Sequence, residues 1–81
     1  MRKNTLSPNH QQLCALLREV RREAGLTQAQ LAARIKRDQT FVSKYETGER
    51  MLDVLELREI CLALGVPMAA FIRRLERRIS K

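Results

Sequence analysis

The chain has 81 residues, 44% of them hydrophobic, enough for one small domain with a modest core and too few for an enzyme-sized cleft. Sixteen basic residues against nine acidic ones leave a formal charge of +7, which favours a polyanionic partner over an acidic small molecule. A domain near this size buries only about 60 to 65% of its unfolded surface, so pairing with a second copy adds to a thin stability margin.

The first twelve residues, MRKNTLSPNHQQ, lack the apolar core of a signal peptide. Ser7-Pro8 then pairs a capping side chain with a first-turn proline, and Leu13, Leu16, Leu17, Val20 and Ala24 recur at helical spacing up to a stop at Gly25. His10 falls in the first turn of this helix with no carboxylate or thiol close in sequence and is expected to be exposed. Thr27-Gln28-Ala29-Gln30 is a capping box that starts a second helix over about residues 28–35, with Leu31, Ala32 and Ile35 on its apolar side and the small Ala32 where a close crossing is needed. Asp38 is placed to cap a third helix. In it Phe41, Val42 and Tyr45 recur on one side, while Gln39, Thr40, Ser43, Lys44 and Thr47 share the other. Tyr45 reads as a core ring with its hydroxyl at the surface, and Phe41, between the two faces, either packs inward or meets a thymine methyl.

Past that helix, Asp53-Val54-Leu55-Glu56 is a second capping box, followed by Leu57, Ile60, Cys61 and Leu64 on one face and a stop at Gly65. Val66-Pro67 interrupts the chain before a last helix over about residues 68–79. Met68, Phe71, Ile72, Leu75 and Ile79 line one side of it and Arg73, Arg74, Arg77 and Arg78 the other. The prediction is all-α: five helices, no strand, a core over about residues 8–72, and loose ends at residues 1–6 and 80–81. The apolar run over residues 62–72 is broken by Gly65 and Pro67, so no membrane span is expected. Cys14 and Cys61 lie on or beside apolar stripes and read as small buried hydrophobes suited to a reducing cytoplasm, with no metal site between them.

The third helix carries the functional signal. A short outward face of amide, hydroxyl and ammonium groups suits the major groove of double-stranded DNA, where Gln pairs with adenine, Lys donates to guanine and Ser or Thr contacts either. Charge is distributed to match. Residues 1–50 hold ten basic and five acidic groups, residues 51–70 one and three, and residues 71–81 five and one. The fourth helix is therefore expected to face away from DNA, with Arg50 in the cationic surface that touches phosphates.

From about Gln11 to Ile72 the chain resembles the phage-repressor and Cro-like (XRE-type) helix-turn-helix domain. The resemblance is carried in order and without a gap by Leu26-Thr27-Gln28, Leu31-Ala32, Val42-Ser43, Tyr45-Glu46, Gly48 and Leu62-Ala63-Leu64-Gly65-Val66. It implies a five-helix lambda-repressor-like fold with the motif at the second and third helices. It also implies base contacts from Gln39, Thr40 and Lys44 with Ser43 beside them, phosphate contacts from Gln28 and Thr47, and a structural ion pair between Arg21 and Glu46. The family's turn usually holds glycine and then an apolar residue, whereas Lys36 and Arg37 stand here; the departure adds two cations expected to face phosphates, at a cost of roughly 1 kcal/mol for a left-handed non-glycine residue.

The function expected is that of a sequence-specific transcriptional regulator, a homodimer on a two-fold operator, joined through Phe71, Leu75 and Ile79 of the last helix. No cofactor, metal or small-molecule ligand is expected. The alternative is a protein-interaction module, antitoxin-like or an adaptor, that uses the same fold to hold a partner. An enzyme is the weakest reading, since two separated thiols, one histidine and no glycine-rich loop assemble neither a nucleophile with its base nor a nucleotide site.

Overall fold

A computed structural model describes residues 7–79; the expectation of loose ends falls on residues 1–6 and 80–81, outside that range. Five helices follow one another: α1 (Pro8–Glu23), α2 (Gln28–Arg34), α3 (Gln39–Thr47), α4 (Val54–Leu64) and α5 (Met68–Arg78), with no strand among the described residues.

Most helix starts are set by the side chains that the sequence offers. Ser7 Oγ accepts the His10 N–H at 3.1 Å ahead of Pro8. Thr27 and Gln30 close a reciprocal box, with Thr27 Oγ1 accepting from Gln30 N at 3.1 Å and Gln30 Oε1 from Thr27 N at 2.9 Å. Asp53 and Glu56 do the same, at 2.7 and 3.0 Å. Asp38 departs from this pattern: it occupies the residue before α3, but its carboxylate makes no capping hydrogen bond.

The turn between α2 and α3 is left-handed at Lys36, where φ is +59°. The chain tolerates a side chain there because the turn is closed on both sides by backbone bonds, Lys36 N to Ala33 O at 3.2 Å and Arg37 N to Ala32 O at 2.9 Å. Gly48, at φ +90°, ends α3 in the same conformation without the Cβ penalty.

One core joins all five helices. Leu16, Leu17 and Val20 of α1, Leu31 and Ala32 of α2, Val42 and Tyr45 of α3, Leu57, Ile60, Cys61 and Leu64 of α4, and Phe71 of α5 are buried together. In this arrangement α2 packs on α3, α1 on α3 and α5, and α4 on α2 and α5. Cys14 and Cys61 are buried free thiols, and burial pushes both upward in pKa. No helix among the described residues is long and apolar enough to cross a membrane.

Three expectations are corrected here. The Tyr45 hydroxyl is buried with no hydrogen-bond partner among the described residues, and that burial raises its pKa. His10 is half-buried with Nδ1 covered. Phe71 is 0% exposed, so it is used within the domain and is not offered to a second copy, while Leu75 is partly buried against the core and Ile72 on the same side stays 36% exposed. The helix ends at Arg78, leaving Ile79 half-buried in extended backbone.

Candidate nucleic-acid interface

The outward face of α3 is built by its inward one. With Val42, Tyr45 and Glu46 buried, helical spacing leaves Gln39, Thr40, Lys44 and Thr47 exposed and Ser43 half-buried. Phe41 resolves inward: its ring meets Tyr45 edge-on at 5.4 Å and lies beneath two guanidiniums.

Behind that face runs a chain of polar contacts. Arg21 of α1 grips Glu46 with two parallel bonds, Nε to Oε2 at 2.7 Å and Nη2 to Oε1 at 3.0 Å, and its Nη1 donates to Leu26 O at 2.9 Å. The pair is buried, and the bond to Glu46 raises the Arg21 pKa further. Gln28 Nε2 donates to Glu46 Oε1 at 3.0 Å, and Gln39 Nε2 donates to Gln28 Oε1 at 3.3 Å.

The order of this chain fixes its direction. An ionised carboxylate only accepts, so Gln28 must present its NH2 to Glu46 and its carbonyl to Gln39. Gln39 must then spend one N–H on Gln28, which leaves its carbonyl and second N–H pointing outward. That is the donor and acceptor pair that matches the major-groove edge of adenine.

The remaining candidates divide. Thr40 and Lys44 are exposed on α3 near Gln39, and Thr47 follows on the same face with its hydroxyl donating to Lys44 O at 3.1 Å. Arg37 and Arg50 are not free cations, since both pair with Glu56 of α4. Arg37 Nη2 lies 3.3 Å from Oε2 and Arg50 Nη1 3.2 Å from Oε1. Their guanidinium carbons stand 4.0 and 5.1 Å from the Phe41 ring centroid. Lys36 stands apart from the Gln28–Gln39 contact and lines a groove with Arg34, Ile35, Glu59, Leu62 and Ala63.

Sequence reasoning missed several participants. Glu56 reads as a capping residue, and nothing local says that the same carboxylate reaches back to Arg37 and Arg50. Its pKa is held down to about 2, chiefly by Arg50, then by the Asp53 N–H, with a smaller part from Arg37. Arg18 stands 3.7 Å from Glu46 Oε1 with its side chain 44% exposed, a third cationic or amide group around one carboxylate. Arg74 and Arg78, on the side of α5 opposite its apolar stripe, reach α1. Arg74 pairs with Glu23 at 2.9 Å and Glu19 at 3.3 Å, and Arg78 with Glu19 at 2.7 Å. The four-residue spacing of both the arginines and the glutamates was the available signal. Among the described residues, no group of three or more His, Cys, Asp or Glu is placed to hold a metal ion.

Comparison with known proteins gives a consistent result. A helix-turn-helix family profile matches residues 17–71. An XRE-family-like protein from Pseudomonas syringae pv. tomato is 44% identical, with a TM-score of 0.81 over 89% of this chain and 88% of that one. The restriction-modification controller protein C.Esp1396I is 28% identical, with a TM-score of 0.82 over 89% of this chain and 95% of its own, and it has been seen as a tetramer on its natural 35 base-pair operator. An uncharacterized HTH-type transcriptional regulator of Sinorhizobium fredii, y4dJ, is 45% identical over 47 residues, a stretch that spans 58% of this chain and 61% of that relative. By the profile match and by these likenesses, the chain belongs to the XRE-type helix-turn-helix family.

Proposed function

We propose that the protein is a cytoplasmic transcriptional regulator that binds a specific sequence in double-stranded DNA as a homodimer. The observation that carries this reading is the outward amide of Gln39, oriented through Gln28 by the buried Glu46 on an otherwise exposed polar face. In this reading Gln39, Thr40, Ser43 and Lys44 contact base edges, and Gln28 and Thr47 hold phosphates and fix register. Thr47 serves a phosphate by turning its hydroxyl proton away from Lys44 O. The operator complex of C.Esp1396I supports a duplex as the partner and an oligomer as the binding unit.

The homodimer needs a surface other than Phe71. Leu55 and Leu62, two turns apart on one side of α4, are 68% and 62% exposed, and burying two such leucines on each subunit gives an apolar centre to a symmetric contact. We assign the second copy to this side of α4; Leu62→Glu should convert a dimer to a monomer in sedimentation, and an unchanged dimer would place the contact elsewhere.

Selection of bound duplexes from a random pool tests the main reading. Enrichment of an inverted repeat with half-site centres about one helical turn, roughly 34 Å, apart is the expected outcome. No enrichment by folded protein contradicts it and favours the interaction-module alternative.

A further inference from the structure

We infer that Glu56 restrains the sequence-independent part of DNA affinity, holding Arg37 and Arg50 on the Phe41 ring until duplex phosphates take them over. The inference rests on the DNA-binding reading above.

Three features support it. First, one carboxylate holds two guanidiniums that come from opposite ends of α3, Arg37 just before it and Arg50 in the loop after it. Second, the carboxylate cannot follow them: its Oε1 also accepts the Asp53 N–H at 3.0 Å and its own backbone N–H is bonded to Asp53 Oδ1, so it is tied to the first turn of α4. Third, the arginines remain within reach of solvent, with side chains 37% and 39% exposed against 15% for Glu56. A fixed, shielded anion facing two more exposed cations is an exchange site, in which a phosphate competes with Glu56 for each guanidinium. Because Glu56 titrates only near pH 2, it stays charged and competes throughout the physiological range.

Each arginine transferred to a phosphate releases condensed counterions and strengthens binding to any sequence, while separation from Glu56 opposes the transfer. Glu56 therefore weakens binding to selected and mixed-sequence duplexes alike. Its removal should change affinity and salt dependence without changing the ratio between the two.

Glu56→Gln isolates the charge, because a glutamine carbonyl can still accept the Asp53 N–H. Binding is measured by fluorescence anisotropy over a range of salt, with a mixed-sequence duplex pool and with the duplex that the wild-type protein selects from it. E56Q should bind both on the order of three- to tenfold more tightly, with a salt slope steeper by about one to two. Glu76→Gln, which removes an equal charge from an exposed position on α5, should have little effect. Arg50→Gln and Arg37→Gln, which leave the α4 cap intact, should make the slope shallower. Wild-type protein that binds while E56Q is indistinguishable from it overturns this inference alone, as does E76Q tightening binding as much as E56Q. A wild-type protein that binds neither duplex overturns the DNA-binding reading and this inference with it.

Discussion

Two sets of ion pairs tie α1 to other helices, and they do different work. At one end Arg21 and Glu46 are buried, bonded twice to each other, and continue through Gln28 to the exposed amide of Gln39. At the other, Arg74 and Arg78 pair with Glu19 and Glu23 in the open, where solvent screens both partners. The buried set converts packing into the orientation of a surface group, because its carboxylate is 0% exposed and takes its donors from α1 and α2. The exposed set lies beside the helix that the buried Phe71 anchors.

This contrast can be broken most directly at its buried end. Arg21→Ala strips the buried Glu46 carboxylate of its doubly bonded partner and should cost about 3–5 kcal/mol in urea unfolding, a large share of the stability of a small domain. A loss below about 1 kcal/mol would show that the junction is wet and orients nothing. Phe71→Ala should cost a similar amount, about 3–5 kcal/mol, through cavity formation where α5 anchors. The anchor of α5 is then the ring and not the arginines.

Smaller effects sharpen the picture. Lys36→Gly relieves the φ of +59° and should stabilise the domain by up to about 1 kcal/mol, since no hydrogen bond of the turn depends on the side chain. Arg74→Gln should leave the melting curve at moderate salt unchanged and become visible only at low ionic strength. The pH dependence of the Glu56 contacts has a definite sign. Its pKa falls from the ordinary 4.5 to about 2 on folding, so its contribution is complete above about pH 4.5 and is lost as the pH drops through about 2. The stability difference between wild type and E56Q should be flat above that range and close within it.

Much of the fold was legible because helix signals are local. Ser7, the Thr27–Gln30 box and the Asp53–Glu56 box act within three residues, and apolar periodicity within four. Asp38 shows the limit: the residue type permits a cap, but only backbone geometry decides whether the carboxylate is used. The exposed face of Gln39, Thr40 and Lys44 was legible for the same reason of spacing. What was not legible lies far apart in sequence. Arg74 and Arg78 meet Glu23 and Glu19 across separations of 51 to 59 residues, and Glu56 captures Arg37 from 19 residues away. Net charge over a segment cannot reveal that a single acid of α4 is aimed at the motif. Nor can an amphipathic stripe say which of its members reaches the core, as Phe71 does, and which stay at the surface.

The central claim is that the outward groups of α3 read base edges, with Gln39 pre-oriented from behind. The most direct measurement is the affinity of Gln39→Ala for the selected duplex and for mixed-sequence DNA under the same salt conditions. A loss of about 1–3 kcal/mol on the selected duplex with no change on the mixed one is the predicted result. Equal loss on both would contradict it.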